Sequence, residues 1–247
     1  MRNKNYKVIR PSAVKFREHQ KNEKHKKENS LRDVILGGQD GLVNALGIIL
    51  GVMAATNDMK ILIATVLAAT IAESLSMGAV AYTSALSQRD YYESEREKEL
   101  YEIKHVPEME KEEIRQIYEQ KGFKGDVLEQ IVNTITKDNK LWLDTMMAEE
   151  LKITPVDTSA VLKSSVIVTI ATAIGHLIPL SPFFFVSQGT GLLIAVIISG
   201  ITLFVVGVYQ AVSLVGSWWK SGIRMVIIGL AAAFIGYFIA RLFHAIA

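Results

Sequence analysis

The sequence predicts an all-α integral membrane protein in which five transmembrane helices carry a water-exposed helical insert between helices 2 and 3. Of the 247 residues, 50% are hydrophobic, and these apolar residues are segregated along the chain. Residues 161–247 contain no Asp or Glu, whereas residues 89–152 contain 17 carboxylates and 11 Lys or Arg. A membrane span needs about 20 mostly apolar residues. Five stretches meet that requirement, and the acidic segment separates the second from the third.

The five predicted spans lie near residues 34–55, 60–86, 163–185, 189–213 and 222–243. The first two each carry a carboxylate, Asp40 and Glu73. Glu73 is the only charged residue between Ile61 and Gln88. An amphipathic helix of a soluble domain would show a polar stripe on every turn, so this stretch is predicted to cross the membrane.

The charge pattern also predicts domain organisation and orientation. Residues 1–32 carry 11 Lys or Arg and no apolar run, so they cannot be a signal peptide and are predicted to be a basic cytoplasmic tail rather than a nucleic-acid-binding arm. Residues 33–88 form spans 1 and 2, residues 89–157 the insert, and residues 158–247 spans 3 to 5. The positive-inside rule then places the N-terminus and the insert in the cytoplasm, and the C-terminus on the opposite side.

The insert is helical by pattern. Tyr91–Ile103 has no helix breaker, and the second span is predicted to continue into it without interruption. Pro107 suits the first turn of a new helix, and the glycines at 122 and 125 mark a break. Two short helices, 126–135 and 140–151, are predicted to follow.

The two intramembrane carboxylates are the first candidate site. A carboxylate within a bilayer costs several kcal/mol and usually has a function or a partner. Because such a group holds either a proton or a cation, it suits the exchange of protons for metal. Met77 lies one turn after Glu73 on the same helix face. The alternative is a structural pair with Lys60, Lys163 or a helix terminus.

The insert holds the second candidate site. Its Glu and Met residues recur at spacings of three and four, which place side chains on one helix face. Carboxylates alone suit Mg²⁺, Ca²⁺ or Mn²⁺, and an added thioether shifts the preference towards softer transition metals. The alternative is a solvated helix face. The candidate ligands are Glu99, Glu102, Glu110, Glu113, Met146, Glu149 and Glu150.

Other residues give weaker signals. His105 is predicted to lie on the surface, and His176 to be a helix-packing or pore residue. Two small-residue pairs in the first span, Gly37 with Gly41 and Gly47 with Gly51, predict either a close crossing within the chain or a homodimer seam. No phosphate loop or catalytic triad is present, and no cysteine, so the sequence does not predict an enzyme.

Five stretches together resemble the vacuolar iron transporter family, the membrane exporters of ferrous iron and manganese in plants, fungi and prokaryotes. The resemblance covers residues 31–247 in order. The stretches are GGQDGLVNALGIILGV, AESLSMGAVAYTSALSQRDYYESE, WLDTMMAEELKI, IGHLIPLSPF and GIRMVIIGLAAAFIGYFIARLF.

The resemblance implies a homodimeric antiporter that exchanges divalent metal for protons along a path between its subunits. It implies Fe²⁺ as substrate, with Mn²⁺, Zn²⁺ and Co²⁺ as further candidates, and no prosthetic group. Asp40, Glu73 and Met77 match the family's path residues, and the seven insert residues match its metal-binding cytoplasmic domain. The membrane would be the plasma membrane in a prokaryote and the vacuolar membrane in a eukaryote. Two alternatives are a membrane-anchored iron-oxidising protein of the ferritin type, which would need paired Glu-x-x-His motifs, and a metal sensor whose spans merely anchor it.

Overall fold

The computed structural model describes residues 28–213 and 217–246, all of whose regular structure is helical. The basic tail, up to residue 27, lies outside the described residues. Eight α-helices follow one another along the described chain, with a π-helical turn (Met146–Glu150) after α5 and a 3₁₀ turn (Ser181–Phe184) after α6. The helices are α1 Glu28–Ala55, α2 Met59–His105, α3 Pro107–Gln120, α4 Gly125–Thr136, α5 Asn139–Thr145, α6 Thr158–Leu180, α7 Gln188–Ser213 and α8 Trp218–Ile246.

Five of these helices, α1, α2, α6, α7 and α8, are long and apolar enough to cross a membrane. This confirms the predicted number and order of spans. The second span does run on into the insert, because α2 is one continuous helix of 47 residues. At about 1.5 Å per residue such a helix is about 70 Å long, more than twice the roughly 30 Å hydrocarbon core. Its C-terminal half therefore extends well beyond the membrane.

Helix α1 occupies the centre of the membrane bundle, packed against α6, α8, α2 and α7. Its side chains Leu42, Leu46 and Ile49 are accordingly almost completely buried. Leu46 and Ile49 pack with residues of the other spans, such as Leu62 of α2 and Leu180 of α6. The two carboxylates of the spans thus lie on α1 and its neighbour α2.

The insert has a separate hydrophobic core built by the end of α2, by α3 to α5 and by the π turn. Ile114, Val132, Trp142 and Met146 are buried in it. Its helices begin and end as the sequence predicts, since Pro107 lies in the first turn of α3 and the glycines at 122 and 125 take positive φ angles. The last predicted helix, 140–151, is shorter than expected: α5 ends at Thr145, and the π turn follows.

Candidate functional site

Glu73 is held by two side chains from other helices. Its Oε2 lies 3.0 Å from Nε2 of His176 on α6, and its Oε1 accepts a hydrogen bond from the Asn44 amide on α1. The Glu73 side chain is 19% exposed, whereas His176 is fully buried. The described partners of Glu73 are therefore not the lysines that a purely structural pairing would use.

The contact between Glu73 and His176 is a hydrogen bond, with one hydrogen between Nε2 and Oε2. Nδ1 of His176 lies 3.0 Å from the backbone oxygen of Thr172, which can only accept a hydrogen bond, so Nδ1 carries a hydrogen. Nε2 then either accepts a proton from a neutral Glu73 or donates one to an ionised Glu73. An Nε2 without a hydrogen would be repelled by an ionised carboxylate, so a hydrogen must lie between the two groups. We therefore treat the two side chains as one unit, the Glu73–His176 pair.

Beside this pair, glycines let α1 and α6 cross with their backbones in contact. A Cβ atom on Gly41 would lie 2.3 Å from the Thr172 oxygen and 2.8 Å from Nδ1 of His176. A Cβ atom on Gly37 would lie 2.6 Å from the backbone oxygen of Val168. Such approaches are possible only without a side chain. Of the two interpretations of this glycine pair, the structure shows the close crossing within the chain.

Helix α2 approaches α6 in a similar way, one turn beyond the pair. The Ser165 hydroxyl donates to the backbone oxygen of Gly78 over 2.6 Å, and a Cβ atom on Gly78 would overlap the Thr169 hydroxyl at 1.9 Å. Glu73 thus reaches His176 because α2 lies directly against α6.

Asp40 belongs to the same polar group. Its carboxyl interacts electrostatically with both Glu73 and His176. It is half-buried and opens onto a cavity of about 210 Å³ between α1 and α8. Met77 is half-buried one turn along α2. The structure therefore brings Asp40 and Glu73 together and adds His176 and Asn44, which the sequence analysis did not connect with them.

In the insert, five of the predicted carboxylates form one electrostatic group, here called the insert glutamate cluster. Glu99 and Glu110 are only 3% and 4% exposed, and one carboxyl oxygen of each is buried without a hydrogen-bond partner. Buried polar groups without partners are rare. The cluster comprises Glu99 and Glu102 on α2, Glu110 and Glu113 on α3, and Glu150 in the π turn.

Burial and repulsion by neighbouring charges make three of these carboxyls, Glu99, Glu110 and Glu150, unusually weak acids. Burial, followed by the charges of neighbouring glutamates, raises the pKa of Glu99 to about 7 and that of Glu110 to about 7. Partial desolvation and the charge of Glu113 raise the pKa of Glu150. A cation in the cluster would relieve the same repulsion that protons relieve.

The two other predicted ligands, Glu149 and Met146, do not belong to the insert glutamate cluster. Glu149 forms an ion pair with Lys121, and Met146 is completely buried in the apolar core of the insert. Both belong to the π turn, where the Leu151 N–H donates to the Met146 oxygen over 3.2 Å. The extra residue of a π turn changes the direction of the side chains that follow, and such turns are frequent at functional sites.

His105 stays outside the cluster. It is exposed and stacks on Tyr101 with the ring centroids 3.9 Å apart, as predicted for a surface residue. The sequence does contain one Glu-x-x-His run, Glu102 to His105, whereas a di-iron bundle requires two. Within residues 28–213 and 217–246, no three His, Asp or Glu side chains are arranged to hold a metal ion. The cluster is thus a concentration of charge rather than a preformed coordination site.

Comparison with known proteins places the chain in a family. A family model described as the VIT family matches residues 31–241. The chain belongs to the VIT family. This VIT-family protein is 32% identical over 212 residues to vacuolar iron transporter 1 of Tulipa gesneriana, covering 85% of the chain and 86% of the relative. It is 33% identical over 178 residues to vacuolar iron transporter 1 of Arabidopsis thaliana, covering 72% and 71%.

A longer alignment, with a third plant relative, agrees with these two matches. Vacuolar iron transporter 1 of Oryza sativa subsp. japonica is 28% identical over 236 residues, which cover 95% of this chain and 94% of the relative. The match therefore includes the insert as well as the spans. Together with the five apolar helices, it establishes a multi-pass integral membrane protein and confirms the resemblance on which the sequence interpretation relied.

Proposed function

We propose that this protein exports divalent metal from the cytoplasm across a membrane in exchange for protons, with Fe²⁺ as the main substrate and Mn²⁺ as a second. The observation that carries the proposal is the polar group formed by Asp40, Glu73 and His176 inside membrane-spanning helices. Ionisable side chains within spans mark ion or proton pathways. The name of the plant relatives, vacuolar iron transporter, supports iron as the metal.

The Glu73–His176 pair supports the coupling to protons. In the absence of metal one proton lies between Nε2 and Oε2, and a metal ion that binds Glu73 must displace it. Metal and proton therefore compete for the same atoms, which is the elementary step of an antiporter. A structural anchor, as a metal sensor would need, has no use for such a group in its spans.

The insert glutamate cluster supports a collecting role on the cytoplasmic side. Two spans separate the start of α1 from the insert, so both would lie on one side of the membrane, and the positive-inside rule favours the cytoplasm for that side because of the basic tail. Carboxylates at a pore mouth raise the local cation concentration and the rate of capture. Because the cluster forms no complete coordination shell, it would bind metal loosely enough to pass it on.

We further propose that the protein works as a homodimer with the path between the two subunits. The cavity beside Asp40 lies at the contact of α1 with α8, so this carboxyl is accessible from outside the bundle. In a prokaryotic host the membrane would be the plasma membrane, and in a eukaryotic host the vacuolar membrane.

The proposal is tested with Asp40→Asn and Glu73→Gln in purified protein reconstituted into liposomes. Each change removes a carboxylate from the path, so Fe²⁺ uptake should fall to the level of empty liposomes while the protein still inserts. Asp144→Asn removes a carboxylate that is exposed on α5 and serves as the matched control. Wild-type flux in either path variant would refute the assignment.

A further inference from the structure

We propose that His176 is a metal-ligating residue of the transport path and determines its preference for Fe²⁺ over metals that bind only oxygen. This inference rests on the proposed function, since it concerns the ion that passes Glu73. The imidazole is fully buried, and its Nε2 is directed at the carboxylate of a second helix.

The distance between the two side chains suits a shared metal ion. A transition metal binds imidazole nitrogen and carboxylate oxygen at about 2.0–2.2 Å. Two such ligands at a right angle around one ion are separated by about 3 Å. The separation of Nε2 and Oε2 is 3.0 Å. An ion that replaced the shared proton could bind both atoms without movement of either helix.

The orientation of the His176 ring is also that of a metal ligand. A histidine that binds metal donates the hydrogen of its other ring nitrogen to a carbonyl or carboxylate, which fixes the tautomer. In His176 this partner is the Thr172 backbone oxygen, 3.0 Å from Nδ1. Nδ1 also lies next to Gly41 of α1, where a Cβ atom would come within 2.8 Å of it. His176 is therefore held with Nε2 facing the Glu73 carboxylate.

The ligand set itself favours a nitrogen ligand at this point. Among the path residues other than His176, only the Met77 thioether offers a ligand other than oxygen. Asp40, Glu73 and the Asn44 amide form a set that suits Mg²⁺, Ca²⁺ and Mn²⁺ at least as well as Fe²⁺. Imidazole adds a nitrogen ligand that Fe²⁺ accepts readily, whereas Mg²⁺ and Ca²⁺ prefer oxygen. Because the pair supplies only two ligands, the ion would not be trapped, as passage through a pore requires.

If His176 only positioned Glu73, its replacement would have a different effect on transport and selectivity. If His176 only held Glu73 in place, another side chain with a hydrogen-bond donor at the same point would preserve transport and selectivity. His176→Gln tests this alternative, since the amide can donate to Glu73 but offers no aromatic nitrogen. His105→Gln is the matched control, because His105 lies exposed in the insert.

The direct test is pulsed electron paramagnetic resonance of Mn²⁺ bound to the purified full-length protein, which detects a coordinated imidazole nitrogen. We expect the nitrogen coupling in wild type and His105→Gln, and its loss in His176→Gln. In liposomes, His176→Gln should lower kcat/KM for Fe²⁺ relative to Mn²⁺ about tenfold and allow Mg²⁺ to compete. Absence of nitrogen coupling in wild type, its persistence in His176→Gln, or unchanged selectivity would overturn the inference. If wild type moves metal without nitrogen coupling, only the role of His176 falls. If wild type moves no divalent metal, the proposed function itself falls.

Discussion

The two most buried glutamates of the insert, Glu99 and Glu110, should make its stability depend on pH in an unusual direction. Burial and neighbouring charges raise the pKa of each from 4.5 to about 7. A carboxyl with a raised pKa favours the folded state while it is protonated. Its contribution to the free energy of unfolding is therefore lost as the pH rises from 4.5, the unshifted pKa, towards 7. By pH 8 the loss is complete.

The magnitude follows from the same values. Each pKa step corresponds to about 1.4 kcal/mol, so one such carboxyl costs the folded insert roughly 3 kcal/mol at pH 8 relative to pH 4.5. For a domain of this size, 1 kcal/mol shifts the Tm by about 4–8 °C. We expect the metal-free insert to melt at least about 10 °C lower at pH 8 than at pH 5, since one such carboxyl alone gives a shift of this size.

The insert carries its own reporter for this measurement. The chain has three tryptophans, of which Trp142 is buried in the core of the insert. With Trp218→Phe and Trp219→Phe, the fluorescence of the detergent-solubilised full chain reports the insert alone. Glu110→Gln should flatten the dependence on pH, whereas the exposed Glu119→Gln should leave it unchanged. A Tm that is constant or rises from pH 5 to pH 8 in wild type would refute the reasoning.

Two further predictions concern the helix crossing and the cluster. Gly41→Ala forces a Cβ atom against the Thr172 oxygen and should lower the stability of the purified protein in a thermal unfolding assay by about 1–3 kcal/mol. Gly200→Ala is the control, because Gly200 has open space around it, and it should be neutral or stabilising in the same assay. The second variant combines Glu102→Ala, Glu113→Ala and Glu150→Ala and so removes three carboxylates of the insert glutamate cluster. It should weaken Fe²⁺ binding in calorimetry at least tenfold and slow transport without abolishing it. Undiminished binding would identify these glutamates as a solvated helix face.

Much of the architecture could be predicted because it depends on composition and local pattern. Span α2 was recognisable from a single charge among apolar residues, and its continuation into the insert from the absence of a helix breaker before Pro107. The helix ends of the insert follow from Pro107 and the two glycines. These features are determined by neighbours in sequence, so the structure confirms them closely.

The details of the sites depend on contacts between distant residues and could not be predicted. Glu73 and His176 are 103 positions apart, and only the crossing of α6 with α1 and α2 brings them together. The only sequence signal was that His176 lies within an apolar span. That position was compatible with either a helix-packing residue or a pore residue. In the insert, helical spacing grouped Glu149 with Glu150, but the π turn directs Glu149 to Lys121. A π turn has no sequence signature as clear as proline or glycine.

The central claim is that metal and protons move in opposite directions through one polar group, and simultaneous recording of both in proteoliposomes tests it most directly. Purified protein is reconstituted with a metal-sensitive and a pH-sensitive dye inside the vesicles, and Fe²⁺ or Mn²⁺ is added outside. We predict that metal entry raises the internal pH, that an imposed outward proton gradient accelerates it, and that Glu73→Gln abolishes both signals. Metal entry without any metal-dependent pH change would contradict the account and indicate a channel or uniporter.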